Sequence, residues 1–509
     1  MENYTLLPFF GYLCANFPKR TNRKAIRTHD MKLTPIDRAP LLPLALCLVA
    51  GIAVGNPFGT GWPLMVVAGV LLAVTLLAGR WPLVQSLGVG LCFVVLGMLV
   101  APAEEGGVAD GVWTEAVVAS PIAERPKTVM ADLLLTPSGE RRRCYLWKDE
   151  RSLQLKPADN LVVSIHDRQF VSRDGWQRGG NGLSHLSAFQ RLRLKALLWR
   201  EWALQRLHAS AADADAQAVV AAMVLGDKRA LTRELRDVYS VSGASHVLAL
   251  SGLHLSIIYL LLTRLTLGRH RFWLGQVLIV VALWAFTLLT GLSTSLVRAA
   301  TMLTVYVLFA LGGRRHAPLG VLSFTAIVML LFDSSALFDV GFQLSFMAML
   351  GIILFMPLFD DKSPGLKSGI YYKVTHGAGI NYLSRGWWDG IKRNSLGYLL
   401  VSVAAQLGTA PLIAFYFGRF STWFLLTNLV VIPLATLILF GAVVVLLFPA
   451  AAGLLLMVVG WMNAFLSFVS RLPLASIDHL QPSVLQVVLI YVVIAVIYAL
   501  LFRLVGRRR

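Results

Sequence analysis

Long apolar runs separated by short polar or basic connections make up most of the chain. Three runs come first, Leu41 to Gly55, Trp62 to Gly79 and Leu83 to Ala101. Nine more begin near His246, Trp273, Leu296, Leu319, Gly341, Leu399, Trp423, Ala450 and Val487. Because a helix needs about 20 apolar residues to cross a bilayer, this pattern predicts a polytopic α-helical membrane protein with about 12 spans.

A polar interval interrupts these runs after the third one. From Trp113 to about Phe170, short stretches of alternating apolar and polar residues are separated by Pro121, Pro126 and Gly139. Period-two alternation between turn residues is typical of β-strands. We therefore predict a small extracytoplasmic β domain, a barrel of about five strands of the OB-fold type, inserted after the third span.

The segment after this interval, AFQRLRLKALLWREWALQRLHA, mixes leucine and tryptophan with basic residues. Such a pattern predicts an amphipathic helix on the membrane surface. The chain then divides into a basic cytoplasmic N-terminus (1–40), three transmembrane helices (41–102), a periplasmic β domain (103–180), the surface helix (181–215) and a C-terminal transmembrane domain (216–509).

The distribution of charge predicts the topology. The residues before Leu41 are basic and Arg80 follows the second run, so the positive-inside rule puts the N-terminus in the cytoplasm and the β domain outside. Alternating the later runs places the basic loop from Lys362 to Arg393 and the tail from Arg507 to Arg509 in the cytoplasm. We expect the bacterial inner membrane, with both termini cytoplasmic. Met31 is an alternative start of the chain.

Composition argues against an ordinary soluble protein. Hydrophobic residues make up 57% of the chain and charged residues 14%, with a mean hydropathy of +0.68. The net charge of +19 has three interpretations: contact with anionic lipid, a polyanionic ligand, or the basic bias of cytoplasmic loops. The four cysteines are scattered without a C-x-x-C pair, so neither a disulfide framework nor a zinc site is predicted.

Polar residues inside apolar runs are the first candidates for function. In ASHVLALSGLHLSII these are Ser245, His246, Ser251 and His254. On a continuous helix, Ser245, Gly252 and Ser256 fall on one narrow strip, and the two histidines lie about 80° apart. The strip suits either close helix packing or the wall of a water-filled path. The histidines alone do not form a metal site.

Four further polar residues lie in later runs. Arg298, near the start of its run, suits either a phosphate contact or a side chain that extends to the membrane surface. Gln343 suits a hydrogen bond across helices. Gln406 and Asn428 accompany Pro411 and Pro433, a combination that indicates broken helices around a cavity.

The predicted β domain combines cations with aromatic residues. A surface of this kind follows a phosphate backbone while bases stack on the rings, although a solvated basic face has the same composition. The candidate DNA-binding residues are Lys127, Arg141, Arg142, Arg143, Tyr145 and Trp147. The sequence contains no G-x-x-x-x-G-K-[ST] phosphate loop and no HExxH motif, so catalysis, a metal and a cofactor are not predicted.

These blocks resemble the ComEC family of DNA-uptake channels. ASHVLALSGLHLSII is similar to the family's signature, VLGDKRAL to the segment before it, and GFQLSF to a second hallmark; LSTSLVRAATM, LGTAPL and TNLVVIP follow in the expected order. Many members continue into a metallo-β-lactamase-like domain, but this sequence has no H-x-H-x-D-H cluster. The nuclease activity suggested for that domain is therefore not carried over.

The resemblance implies passage of single-stranded DNA from the periplasm to the cytoplasm during natural competence. It also implies membrane lipid, a periplasmic DNA receptor, and a cytosolic motor or strand-binding protein as partners, with a homo-oligomer as a further possibility. Two other functions stay open at this point. One is a transporter or flippase for an anionic lipid or glycan intermediate, and the other is a membrane hydrolase that uses Ser251 and His254.

Overall fold

The computed structural model describes most of the predicted elements. It covers residues 39–55, 61–77, 81–102, 111–119, 122–124, 126–136, 141–166, 169–181, 184, 186–207, 213–265, 272–311, 318–360 and 387–507. The basic N-terminus up to residue 38, the basic loop at 361–386 and the last two arginines lie outside these ranges.

The chain is mostly helical. The helices are α1 (Leu42–Val54), α2 (Gly61–Leu77), α3 (Pro82–Val100), α4 (Glu150–Leu153), α5 (Ala188–Leu207), α6 (Ala214–Leu225), α7 (Arg233–Val241), α8 (Ser245–Leu248), α9 (Gly252–Leu265), α10 (Phe272–Leu289), α11 (Thr294–Leu311), α12 (Pro318–Phe332), α13 (Val340–Asp360), α14 (Trp387–Phe417), α15 (Phe424–Leu447), α16 (Ala452–Ser470) and α17 (Val484–Arg507). All twelve predicted apolar runs fall on helices, which confirms their helical character.

Six helical stretches among the described residues are long and apolar enough to cross a membrane. They are Leu83–Val100, Val340–Leu358, Leu399–Phe417, Phe424–Leu447, Pro449–Ser470 and Val484–Leu504. Shorter apolar helices lie at Leu42–Val54, Pro63–Leu77, Ala214–Leu225, Gly252–Thr263, Trp273–Leu289, Thr294–Phe309 and Pro318–Phe332. The prediction of about 12 spans therefore stays a prediction.

The chain folds into two compact units. The first consists of Met1–Glu104, Thr301–Phe420 and Asp478–Arg509. The second consists of Glu105–Ala300 and Ser421–Ile477. The second unit therefore contains the β domain and the stretch ASHVLALSGLHLSII at 244–258, which we call the Ser-Gly-His segment.

Close contact between helix backbones is the main feature of the first unit. A Cβ atom placed on Gly408 of α14 would lie 2.1 Å from the carbonyl oxygen of Met347 on α13. A Cβ on Gly351 of α13 would lie 2.3 Å from the carbonyl oxygen of Ala404. These two helices therefore approach each other only because both positions are glycine, as is common where helices pack in membranes.

The β domain is a ring of paired strands in the second unit. Its strands are β1 (Trp113–Val118), β2 (Ala123–Glu124), β3 (Thr128–Thr136), β4 (Arg141–Trp147), β5 (Asn160–His166) and β6 (Phe170–Arg178), in the order β1-β5-β6-β4-β3-β2. Strand β1 also pairs with β3, which closes the ring. Alternate residues of β3, such as Ala131, Leu133 and Leu135, point into its buried core.

Helix α5 has two different faces. Leu194 and Leu197 pack against Val117 and Leu134 on the outside of the β domain. The opposite face exposes aromatic side chains, including Trp202, over which the Arg206 guanidinium lies 5.4 Å from the ring centroid. The predicted helix is confirmed, and one of its apolar faces is covered by protein. Its position on the membrane surface stays a prediction.

The expected continuous helix through the Ser-Gly-His segment is wrong. Helix α8 ends at Leu248, Ala249 is extended with φ −93° and ψ 131°, and α9 begins at Gly252. The strip formed by Ser245, Gly252 and Ser256, and the 80° angle between the histidines, do not hold across this break. Its cause is local: Ser251 occupies the N-cap of α9, because its carbonyl oxygen accepts the first helical hydrogen bond from Leu255 at 3.4 Å.

Candidate functional site

A groove on the β domain brings three of the predicted DNA-binding residues together. Its volume is about 450 Å³. It is lined by Lys127, Thr128, Tyr145, Trp147, His166, Phe170, Val171 and Ser172. Lys127, Tyr145 and Trp147 were predicted from the sequence, whereas His166 and Phe170 were not. We call this surface the aromatic groove.

The aromatic groove is positioned by the contact between β4 and β6. These strands are parallel neighbours at Tyr145 and Phe170, whose ring centroids lie 5.6 Å apart with an interplanar angle of 32°. Trp147 is 53% exposed and Phe170 54% exposed. Large aromatic side chains usually bury most of their surface in a core, so two half-exposed rings beside a third mark a surface suited to a flat ligand. Lys127 adds a positive charge at its edge.

Strand alternation separates the predicted arginines. Arg143 lies on the outer face of β4 with Tyr145 and Trp147, and its Nε donates a hydrogen bond of 3.2 Å to Oδ1 of Asp132. Arg142 is half-buried on the other face, beside the buried Cys144. Arg141 begins the strand. The run of three arginines is therefore not a single cationic patch.

Cys144 belongs to the core of the β domain and not to its surface. Its side chain is fully buried. Burial raises the pKa of its thiol to about 12, so the sulfur is protonated at neutral pH and a poor nucleophile. We assign it a packing role.

Ser251 and His254 form a helix cap. The Oγ of Ser251 lies 3.0 Å from Nδ1 of His254, and the backbone N–H of Ser251 donates to the same nitrogen at 3.3 Å. A side chain at the third helical position that binds the N-cap amide is the arrangement of a capping box. The ring of His254 is fully buried, and its Nε2 has no hydrogen-bond partner within the described part of the chain. This arrangement favours a structural role over a nucleophile and its base.

Other predicted residues of the second unit differ in exposure. Ser245 and His246 expose their side chains, and Asn428 is half-buried near the start of α15. Arg298 is only 4% exposed. Its side chain therefore does not extend to the surface, which excludes one of its two interpretations.

In the first unit, Gln343 is held by hydrogen bonds on both sides of its amide. The Tyr416 hydroxyl on α14 donates to its Oε1 at 2.8 Å, and its Nε2 donates to the carbonyl oxygen of Leu337 at 3.0 Å. The predicted hydrogen bond across helices is thus confirmed. Gln406 is half-buried on α14.

The VLGDKRAL segment contains a partly buried ion pair. Asp227, 8% exposed, accepts hydrogen bonds from the Arg229 side chain at 2.7 to 3.0 Å, and Arg229 also reaches Glu201 at 3.2 Å. Burial alone raises the pKa of Asp227, but the hydrogen bonds and charge of Arg229 outweigh it, so the pKa lies below its usual value of 3.8. Gly226, with φ 72°, ends α6 just before this pair.

Comparison with known proteins assigns the helical part of the chain to a protein family. A family model described as Competence protein matches residues 223–504, more than half of the chain. ComE operon protein 3 of Bacillus subtilis (strain 168) is 31% identical over 265 residues, which cover 51% of this chain and 30% of that protein. An uncharacterized protein of Aquifex aeolicus (strain VF5) is 31% identical over 217 residues, 42% of this chain and 44% of that protein. No solved structure matches the chain.

The match covers less than half the length of either relative. The family model's match at residues 223–504 includes the Ser-Gly-His segment, the GFQLSF block and the helices from α13 onward that are long and apolar enough to cross a membrane. The chain belongs to the ComEC family of competence proteins.

Proposed function

We propose that the protein takes part in DNA uptake during natural competence and passes single-stranded DNA from the periplasm to the cytoplasm. The observation that carries this proposal is the aromatic groove in a chain of the competence family. Exposed rings that stack on bases, beside cations that contact phosphates, bind single strands without requiring a particular sequence. A solvated basic face does not require three aromatic side chains in one groove, two of them half exposed.

The proposed receiving domain is an OB-type barrel on the periplasmic side. Going round the ring of long strands, β1 is followed by β3, β4, β6 and β5, and the short helix α4 lies between β4 and β5 along the chain. This order and the single parallel contact between β4 and β6 support the assignment. We place this barrel after the third of about 12 spans of an inner-membrane protein with both termini in the cytoplasm.

For the route through the helices we retain the polar residues predicted from the sequence. Ser245 and His246 are the strongest of them because their side chains are exposed. The complete proposed set is Ser245, His246, Ser251, His254, Arg298, Gln343, Gln406 and Asn428. A periplasmic DNA receptor and a cytosolic motor or strand-binding protein complete the proposed pathway.

The test follows fluorescent double-stranded DNA in cells that lack this gene and in cells complemented with it. Microscopy gives the position of the DNA, and marker rescue gives the number of transformants. We expect DNA held outside the inner membrane and no transformants in the deletion strain, with both restored by the wild-type gene. Normal uptake into the cytoplasm of the deletion strain would reject the proposal, and an altered envelope in the same cells would point to a lipid or glycan transporter.

A further inference from the structure

A second concave site lies in the same unit, next to the β domain. This cavity has a volume of about 390 Å³. Its walls come from the β domain, from helix α5, and from the turn between α10 and α11. The residues that line it are Ala119, Asp132, Arg143, Arg193, Leu197, Arg200, Thr290, Gly291, Leu292, Ser293 and Thr294. We call it the arginine cavity.

The charges that line the arginine cavity are mainly positive. Three guanidinium groups face one carboxylate, which leaves a net charge of +2. The carboxylate, Asp132, is already engaged by Arg143 at 3.2 Å. Arg193 donates through Nη2 to the carbonyl oxygen of Gly291 at 3.4 Å. The lining therefore has an excess of positive charge that an anion would neutralise.

Arg200 is the most informative of these residues. It is only 9% exposed, and its Nε has no hydrogen-bond partner within the described part of the chain. The nearby carboxylates of Asp227 and Glu201 attract it, but Arg229 repels it and already binds both. A buried guanidinium with an unsatisfied N–H is costly in free energy, so it indicates a missing acceptor.

The start of α11 adds a second group of donors. Ser293 is its N-cap residue, because the Ser293 carbonyl oxygen accepts from the Val297 amide at 3.0 Å. An N-cap serine usually turns its hydroxyl onto the second or third helical amide. Here the Oγ is buried and has no partner among the described residues. The positive end of an 18-residue helix and an unused hydroxyl thus meet the arginines at one cavity.

We propose that the arginine cavity binds a backbone phosphate of the same DNA strand whose bases stack in the aromatic groove. This inference rests on the proposed function. Strand β4 joins the two sites, because Arg143 faces the cavity while Tyr145 and Trp147, on the same side of the strand, face the groove. At about 3.3 Å per residue, Arg143 lies roughly 13 Å from Trp147, so a strand of a few nucleotides spans both.

The test measures binding of a fluorescent single-stranded oligonucleotide to the full chain in nanodiscs of phosphatidylcholine. Ser293→Asp places a carboxylate in the cavity, and an acidic N-cap also suits the helix, so folding is retained. We expect affinity to fall about tenfold, and by less for the neutral Ser293→Asn. Thr232→Asp, the same change of charge at the N-cap of α7, is the matched control and should bind as the wild type does.

Arg193→Gln supplies an independent readout. Each phosphate contact contributes about 0.7 to the slope of log affinity against log salt for a single strand, so losing one contact should lower that slope by about this amount. A purely structural role of Arg193 would leave the slope unchanged.

Two results would overturn the inference. Equal affinity of Ser293→Asp and wild type, with an unchanged slope in Arg193→Gln, would show that no phosphate occupies the cavity. If phosphatidylglycerol in the nanodisc removes the difference between Ser293→Asp and wild type, the occupant is a lipid headgroup. Either result is compatible with normal DNA uptake in cells, so it leaves the proposed function standing.

Discussion

The aromatic groove and the Ser-Gly-His segment both combine polar and apolar residues, but the structure uses them in opposite ways. In the groove, Trp147 and Phe170 remain half exposed. In the helical segment, the Ser251 hydroxyl lies 3.0 Å from Nδ1 of His254, and the Ser256 hydroxyl donates to the Gly252 carbonyl at 2.8 Å. Ser245 and His246 of the same segment expose their side chains.

The difference follows from the surroundings of each region. A polar group buried among helices loses its water and must find a partner inside the protein. An exposed ring on a sheet loses little by staying in solvent and gains by stacking on a ligand. Polar residues in an apolar run are therefore weak indicators of a route, whereas exposed aromatic residues on a small domain are stronger indicators of a binding surface.

The largest effect is expected where helices touch through glycine. Gly408→Ala forces a Cβ into the Met347 carbonyl, so α13 and α14 must separate at a cost of several kcal/mol. We expect most of the folded protein to be lost, as measured by size-exclusion chromatography in detergent. Gly320→Ala on α12, where a Cβ meets nothing within 4 Å, is the control and should stabilise slightly. Equal behaviour of the two variants would contradict the close contact.

Next in size is the buried ion pair. Asp227→Asn removes the carboxylate that Arg229 contacts at 2.7 to 3.0 Å and leaves only Glu201, at 3.2 Å, to offset the Arg229 charge, so it should lower the free energy of unfolding by about 2 kcal/mol. Because the folded pKa of Asp227 lies below 3.8, its contribution is fully present above that value and is lost as pH falls through the folded pKa. Wild type should therefore lose thermal stability on acidification below about pH 4, and the variant should lose less.

The control is Asp478→Asn, which removes an exposed partner of Arg419 and should change the free energy of unfolding by under about 1 kcal/mol. Parallel acid profiles for wild type and Asp227→Asn would reject this account.

A smaller effect concerns the groove alone. Trp147→Ala should weaken binding of single-stranded DNA by about tenfold, because a stacked ring contributes about 1–3 kcal/mol per base. The unfolding temperature should stay unchanged, since the side chain is half exposed. Trp113→Ala removes a tryptophan that is 50% exposed on the same domain but outside the groove, and it should bind normally. A matching loss in both variants would mean that the groove has no special role.

The smallest effect is expected in the Ser-Gly-His segment. Ser256 donates to the Gly252 carbonyl of its own helix at 2.8 Å, so Ser256→Ala should change stability by less than about 0.5 kcal/mol and leave transformation frequency unaltered. A large fall in transformation with normal folding would show that Ser256, which lies outside the proposed route, contacts DNA, and the contrast between the two regions would fail.

The sequence predicts features that depend on local pattern. Long apolar runs identify the helices, and period-two alternation places the β domain at Trp113 onward, because each signal comes from neighbouring residues. The break before Gly252 also had a local signal, since Ser251 is a favourable N-cap residue in front of a glycine. It was missed because apolar residues continue on both sides of it.

The sites depend on contacts that local pattern does not contain. Phe170 joins Tyr145 through the pairing of β4 with β6, and His166 reaches the same groove from β5. The arginine cavity combines Arg143, Arg193 and Ser293 from three distant parts of the chain. The sequence singled out Lys127, Tyr145 and Trp147 by composition, and the structure places them in one groove, but the sequence could not separate Arg142 from Arg143 before the strand register was known.

Because the β domain is closed, it recognises a ligand through side chains and not by adding a strand to the sheet. Each of the five long strands β1, β3, β4, β5 and β6 has a paired neighbour on both sides. An open strand edge can pair with a strand of another chain, and closure of the ring leaves none of these long strands with an open edge. The side chains that contact a ligand can be replaced one at a time by mutation without disturbing the ring. Such a domain can change its preference for a ligand over generations while it stays folded and resists aggregation.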